Sequence, residues 1–183
     1  MKKSLYLCSP MCSLESYKLD LKGLTQDLTV LEYDLDDAFF RAVDAPEVSR
    51  GRVHVSLSIR KASGFFDLSF HCEGIVTVAC NRCLDDMELP VAADHQLVAR
   101  LGSAYSEDDD HVTVDEHEGV LDVSWFIYEL IALAIPIQHV HESGQCNEAM
   151  IHALEEHSVD RNGTKDAAQP LDPRWEALLK LKK

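Results

Sequence analysis

The sequence predicts an α+β fold, an antiparallel β-sheet or partly closed barrel followed by two or three helices. Three observations carry this. In GRVHVSLSIRKA, Val53, Val55, Leu57 and Ile59 fall on one side and His54, Ser56, Ser58 and Arg60 on the other. That period of two is the pattern of a half-buried strand. Further strand-like runs follow with short connections, which favours an antiparallel sheet. Beyond residue 120 the spacing turns helical, with Val123, Trp125, Phe126, Leu130, Ile131 and Leu133 as its apolar positions.

Taken in order, LTVLEYD (28–34) is the first strand, trailed by the acidic DLDDAFF. The alternating strand comes next, and Ser63-Gly64 supplies a turn. FFDLSFHCEG returns as a strand, IVTVAC is another, and HQLVARLG (95–102) a fourth of the run, after a CxxC turn and Pro90. LDVSWFIYELIALAIP reads as a helix buried against the sheet, with Asp122 or Ser124 as N-cap, Glu129 at its edge and Pro136 ending it. NEAMIHALEEHS is a second short helix. SVDRNGTKDAAQPLD has linker composition, and PRWEALLKLKK is a short amphipathic helix anchored by Trp175, Leu178, Leu179 and Leu181. The expected organisation is a single α+β domain over 1–160, then a linker and short basic helix over 161–183.

Composition limits the function classes. With 183 residues and 46% apolar content, the chain can bury a substantial core and is not a disordered sequence. No apolar run approaches the roughly 20 residues that span a membrane. The opening MKKSLYLCSP has too short an apolar stretch for a secretory signal, so Cys8 is not read as a lipidation site. A cytoplasmic location is expected, where paired cysteines serve metals or redox chemistry more often than disulfides.

The net charge is −15, which opposes holding nucleic acid across a broad face. Between Leu101 and Asp160 there are 14 Asp and Glu and no Lys or Arg. The densest part, SEDDDHVTVDEHEG (106–119), reads as a solvated acidic loop or as a surface attracting a basic partner such as a ribosomal protein. From Arg161 onward the balance reverses, with six basic residues against three acidic.

The chemistry concentrates at VTVACNRCLDDMELPV. Cys80 and Cys83 have the spacing of a zinc knuckle, two thiolates around one ion. HVHESGQC offers His141 and Cys146 as the remaining ligands, with His139 as the alternative nitrogen. A redox pair and plain packed thiols are the competing readings. Redox dithiols sit at helix starts, whereas this pair ends a strand. Cys72 belongs in the core, while Cys8 and Cys12 are unassigned. His71, His95, His111, His117, His152 and His157 show no partner pattern. There is no phosphate-cradling glycine loop, GxSxG elbow or HExxH, and Asp108, Asp109 and Asp110 lack the spacing of a calcium loop. The chain reads as a binding protein rather than an enzyme.

CNRCLDDMELPV, the acidic loop and LDVSWFIYELIALAIPIQHVHESGQC together resemble the YceD family of large ribosomal RNA subunit accumulation proteins. The likeness lies in the order strand, CxRC, strand, then a helix ending Leu133-Ala134-Ile135-Pro136, then a later His and Cys. DPRWEALLKLKK is also similar to the family's closing segment. The chain departs in lacking a second CxxC, since Asn147-Glu148-Ala149-Met150 follows Cys146.

The resemblance implies a bacterial cytoplasmic factor supporting large-subunit rRNA accumulation and ribosome assembly, without an assigned catalytic activity. It carries the metal ligands onto Cys80, Cys83, His141 and Cys146, and Arg82, which also matches the motif, would stabilise the thiolates or reach a phosphate, the first being the role expected. Its partners would be the large-subunit rRNA precursor, a basic ribosomal protein, or both. The acidic face would hold the protein, while Arg174, Lys180, Lys182 and Lys183 touch RNA. The alternatives are a metal-dependent RNA-processing enzyme and a small zinc-stabilised protein-interaction module.

Overall fold

The computed structural model describes residues 14–108 and 110–158. Cys8, Cys12, the expected C-terminal helix and the candidate RNA contacts Arg174, Lys180, Lys182 and Lys183 lie outside them. A 3-10 turn (Leu14–Tyr17) leads into β1 (Lys18–Asp20), β2 (Leu28–Leu35), α1 (Asp37–Val43), β3 (Arg50–Ala62) and β4 (Phe65–Ala79). Then come β5 (Asp86–Gly102), β6 (Ser106–Asp108), β7 (His111–Asp115), β8 (Val120–Asp122) and α2 (Ser124–Leu133). A second unit begins at Glu148. Its described element is α3 (Glu148–His157), none of whose residues is buried.

The architecture is α+β, as the sequence predicts, and the sheet is open. Six strands run in the order β2-β3-β4-β5-β7-β6, antiparallel except for the parallel β5–β7 pair, while β1 and β8 form a separate two-stranded sheet. On β3, Val53, Val55, Leu57 and Ile59 are all buried. On β4, Phe66, Leu68, Phe70 and Cys72 keep the same phase, which places Cys72 in the core as expected.

Two strand boundaries differ from the sequence expectation. FFDLSFHCEG and IVTVAC are one strand, because Gly74 does not end it. Gly74 lies opposite Val53, so close that an added Cβ would stand 2.2 Å from the Arg52 carbonyl. The missing side chain permits that approach without breaking the ladder. Likewise β5 starts at Asp86, well before residue 95, and runs through Pro90. β7 joins β5 only over Val98–Gly102, so among the described residues no strand pairs with the outer side of β5 at Pro90, a position that tolerates a missing N–H.

The acidic segment is not simply a loop. HVTVD forms β7, and Val112 and Val114 are buried in the core. The acids on either side conceal a short alternation.

Helices cover one face of the sheet. Asp36 caps α1 by accepting from the amides of Ala38 and Phe39, and α1 packs on β3. Gly51 makes room for it, since a Cβ there would meet the Phe40 ring at 3.1 Å. α2 packs on β4 and β5 through Phe126, Ile127, Tyr128 and Ile131. Burying such a side chain contributes about 1.5–3 kcal/mol. Trp125 and Leu133 point outward, 52% and 79% exposed, so burial is confined to one stripe. Asp122 steadies the start of α2 by accepting from both the amide and the hydroxyl of Ser124. Tyr128 ties α2 to the segment before β3, donating to Glu47 and accepting from the Val48 amide.

Candidate metal centre

The knuckle forms where β4 ends. The Leu84 amide donates to the Cys80 carbonyl at 3.0 Å and the Cys80 amide to the Asp85 carbonyl at 2.9 Å. These bonds close a tight turn around Cys80-Asn81-Arg82-Cys83. Leu84 completes it with φ 64°, a left-handed conformation that glycine adopts far more readily. Both cysteines are buried.

The second half of the site comes from the segment after α2. The Gln145 amide donates to the Glu142 carbonyl, and Gly144 supplies φ 88° at the third position of that turn, where glycine is favoured. The turn doubles the chain back, so His141 and Cys146 face the knuckle together. The two halves are bolted by Asn81. Its amide donates to the His139 carbonyl at 2.9 Å, and its Oδ1 accepts the His139 amide at 2.7 Å. Asn147 adds a side-chain bond to Asp85 at 3.1 Å.

The structure therefore brings together the four residues singled out from the sequence. Their ligand atoms all lie within 4.8 Å of one another. Cys83 Sγ is 3.3 Å from His141 Nδ1, and Cys80 Sγ is 4.0 Å from Cys146 Sγ. Metal–sulfur bonds of about 2.3 Å in a tetrahedral site put the sulfurs about 3.8 Å apart, so the spacing fits. His139 is turned away, with Nδ1 2.9 Å from the Pro136 carbonyl and Nε2 3.0 Å from the Ala79 carbonyl.

The electrostatics favour metal-ready thiolates. Burial opposes ionisation of Cys80, yet the amides of Cys83, His141 and Arg82 aim at it and hold its pKa down at about 5. The amides of Asn147 and Asp85 outweigh burial at Cys83 and lower it as well. Its bond to Cys83 raises His141. Burial, helped by the neighbouring sulfurs, pushes Cys146 up to about 11, so ion binding would displace its proton. Arg82 acts through its amide, 3.4 Å from Cys80 Sγ. The donors that lower Cys80 and Cys83 are chiefly backbone amides.

Sequence reasoning missed Asn81, Leu84, Asp85 and Asn147, which shape the site without supplying a ligand. Asn81 lay inside the quoted motif, but only the fold reveals that it reaches residue 139.

A family model described as large ribosomal RNA subunit accumulation protein YceD matches residues 68–182, which include all four cluster residues. No curated protein and no solved structure matches the chain.

Proposed function

Because the chain belongs to the family of large ribosomal RNA subunit accumulation protein YceD, we propose that it is a non-enzymatic factor in large-subunit assembly. In this reading it binds the rRNA precursor or a basic ribosomal protein in the cytoplasm. Cys80, Cys83, His141 and Cys146 hold one zinc ion. The ion's contribution is structural, fastening the end of β4 to the segment after α2, since a closed set of four protein ligands leaves no open position for chemistry. The chain's own part is to present two thiolates and to fix the second ligand pair through Asn81.

The observation that carries the role is the family match over 68–182. The gathering of three cysteines and one histidine supports zinc, because thiolate-rich tetrahedral sets select it. The charge pattern of the sequence supports a division of roles: acidic over 101–122 for a basic protein, basic at Arg174, Lys180, Lys182 and Lys183 for RNA. Co-sedimentation with large-subunit precursors tests the role. Association that survives moderate salt and is lost on deleting residues 172–183 is the expected result. RNA cleavage by the purified protein, abolished by Cys80→Ala, would overturn the non-enzymatic reading.

A further inference from the structure

The two edges of the six-stranded sheet are unlike. At one, β6 has three residues, all exposed, including Glu107 and Asp108. Short charged edges discourage pairing with another chain. At the other, β2 has eight residues in unbroken register with β3, from Leu28 opposite Arg60 to Leu35 opposite Val53. It contains no Lys and no Pro. Among the described residues no further strand pairs with its outer side.

The side chains of β2 are as incompletely covered as its backbone. On the core face Leu31 and Tyr33 are only half-buried, while their cross-strand neighbours Leu57 and Val55 are fully buried. On the other face Leu28 is 58% and Val30 54% exposed. Asp27, Glu32 and Asp34 make the edge acidic; Asp34 contacts His54 of β3 at 2.8 Å, and Glu32 has no ion pair among the described residues.

We propose that β2 accepts an extended, positively charged segment of another protein as a seventh strand. Main-chain hydrogen bonds would supply affinity, and alternate side chains would supply selectivity, as in strand addition generally. On the core face aliphatic groups of the incoming strand would cover Leu31 and Tyr33, while on the other its lysines or arginines lay their stems over Val30 and reach Glu32 and Asp34. A second copy is the poorer occupant. Antiparallel pairing of two β2 strands crowds Glu32 and Asp34 of both copies, and joins two chains of charge −15. The proposal rests on the function above only in identifying the segment's owner as a ribosomal protein.

The test uses the full chain, isotope-labelled, with a synthetic eight-residue peptide of alternating lysine and valine. Backbone amide exchange should slow across residues 28–35 when the peptide is added. The same peptide with glutamate in place of lysine should have no effect. Val30→Lys, with circular dichroism and Tm unchanged, should weaken the lysine peptide by about tenfold or more, like charges across a strand pair being unfavourable. Val30→Thr, which keeps the strand preference, should retain binding.

Protection confined to residues 106–118, or equal binding of the glutamate peptide, would overturn the proposal. So would undiminished binding by Val30→Lys. Protection of β2 that rises with protein concentration alone would instead identify a second copy as the occupant and overturn the basic partner. The two readings separate cleanly. β2 protection without co-sedimentation overturns the ribosomal role alone, and co-sedimentation without β2 protection overturns the edge site alone.

Discussion

Asn81 and His139, distant in the chain, are joined by a reciprocal pair of hydrogen bonds: amide to carbonyl at 2.9 Å one way and amide to side-chain oxygen at 2.7 Å the other. This pair sets the distance between the knuckle and the segment carrying His141 and Cys146. Asn81→Ala removes the second bond and frees that segment. Stability is expected to fall by about 1 kcal/mol, a typical net hydrogen-bond contribution. Zinc affinity should drop roughly tenfold or more, as when supports of metal ligands are lost. Competition against a chromophoric chelator measures the affinity; an unchanged value would remove Asn81 from the site's framework.

Leu84, a residue 66% exposed, closes the knuckle at φ 64°. Left-handed backbone costs a side-chain-bearing residue roughly 1–2 kcal/mol, and a β-branched residue tolerates it least. Leu84→Gly should leave the protein as stable as before or slightly more so, the relieved strain offsetting glycine's extra unfolded-state entropy. Leu84→Val should destabilise it by about 1 kcal/mol or more. Chemical denaturation of both variants gives the comparison, and a glycine variant less stable than the valine one would refute this reading of the turn.

Gly74 faces the Arg52 carbonyl and Val53 Cα, where an added Cβ would lie at 2.2 and 2.6 Å. Those neighbours are backbone and cannot rotate away. Gly74→Ala is expected to cost about 1–3 kcal/mol, the range for overpacking a filled site. A fall in Tm of only a degree would show that the strand can flex there.

Much of the fold was legible because its signals are local. The alternation of β3 and the apolar stripe of α2 each follow from neighbours along the chain. The joined β4, the early start of β5 and the parallel β7 were not legible, because each depends on what lies beside the strand. Gly74 and Pro90 read as breaks until their partners are known, and HVTVD read as loop because its acidic flanks dilute two buried valines. The same divide holds at the cluster. Cys80, Cys83, His141 and Cys146 stood out by residue type and spacing, whereas Asn81 and Leu84 matter through backbone geometry that no spacing encodes.

Burial pushes the Cys72 thiol up to about 12, with Asp94 adding to it, and pushes the Tyr33 phenol to about 12 as well. Both groups are therefore held neutral in the folded state. A raised acid contributes stability that is complete below its unfolded pKa, near 9 for the thiol and 10 for the phenol, and lost as pH climbs toward 12. Stability should decline between about pH 9 and 12. Cys72→Val together with Tyr33→Phe should make that decline shallower. An identical alkaline slope in the double variant would show that other groups set it.

The central claim is that one zinc ion fastens the end of β4 to the segment after α2. Elemental analysis of the purified protein, read beside thiol alkylation, tests it most directly. The expected result is about one zinc per chain, with Cys80 and Cys83 protected from alkylation, and a Cys83→Ser variant that lacks the metal and unfolds at lower temperature, since bound structural zinc contributes directly to folding. Metal-free protein at full stability, with Cys80 and Cys83 freely alkylated, would contradict it.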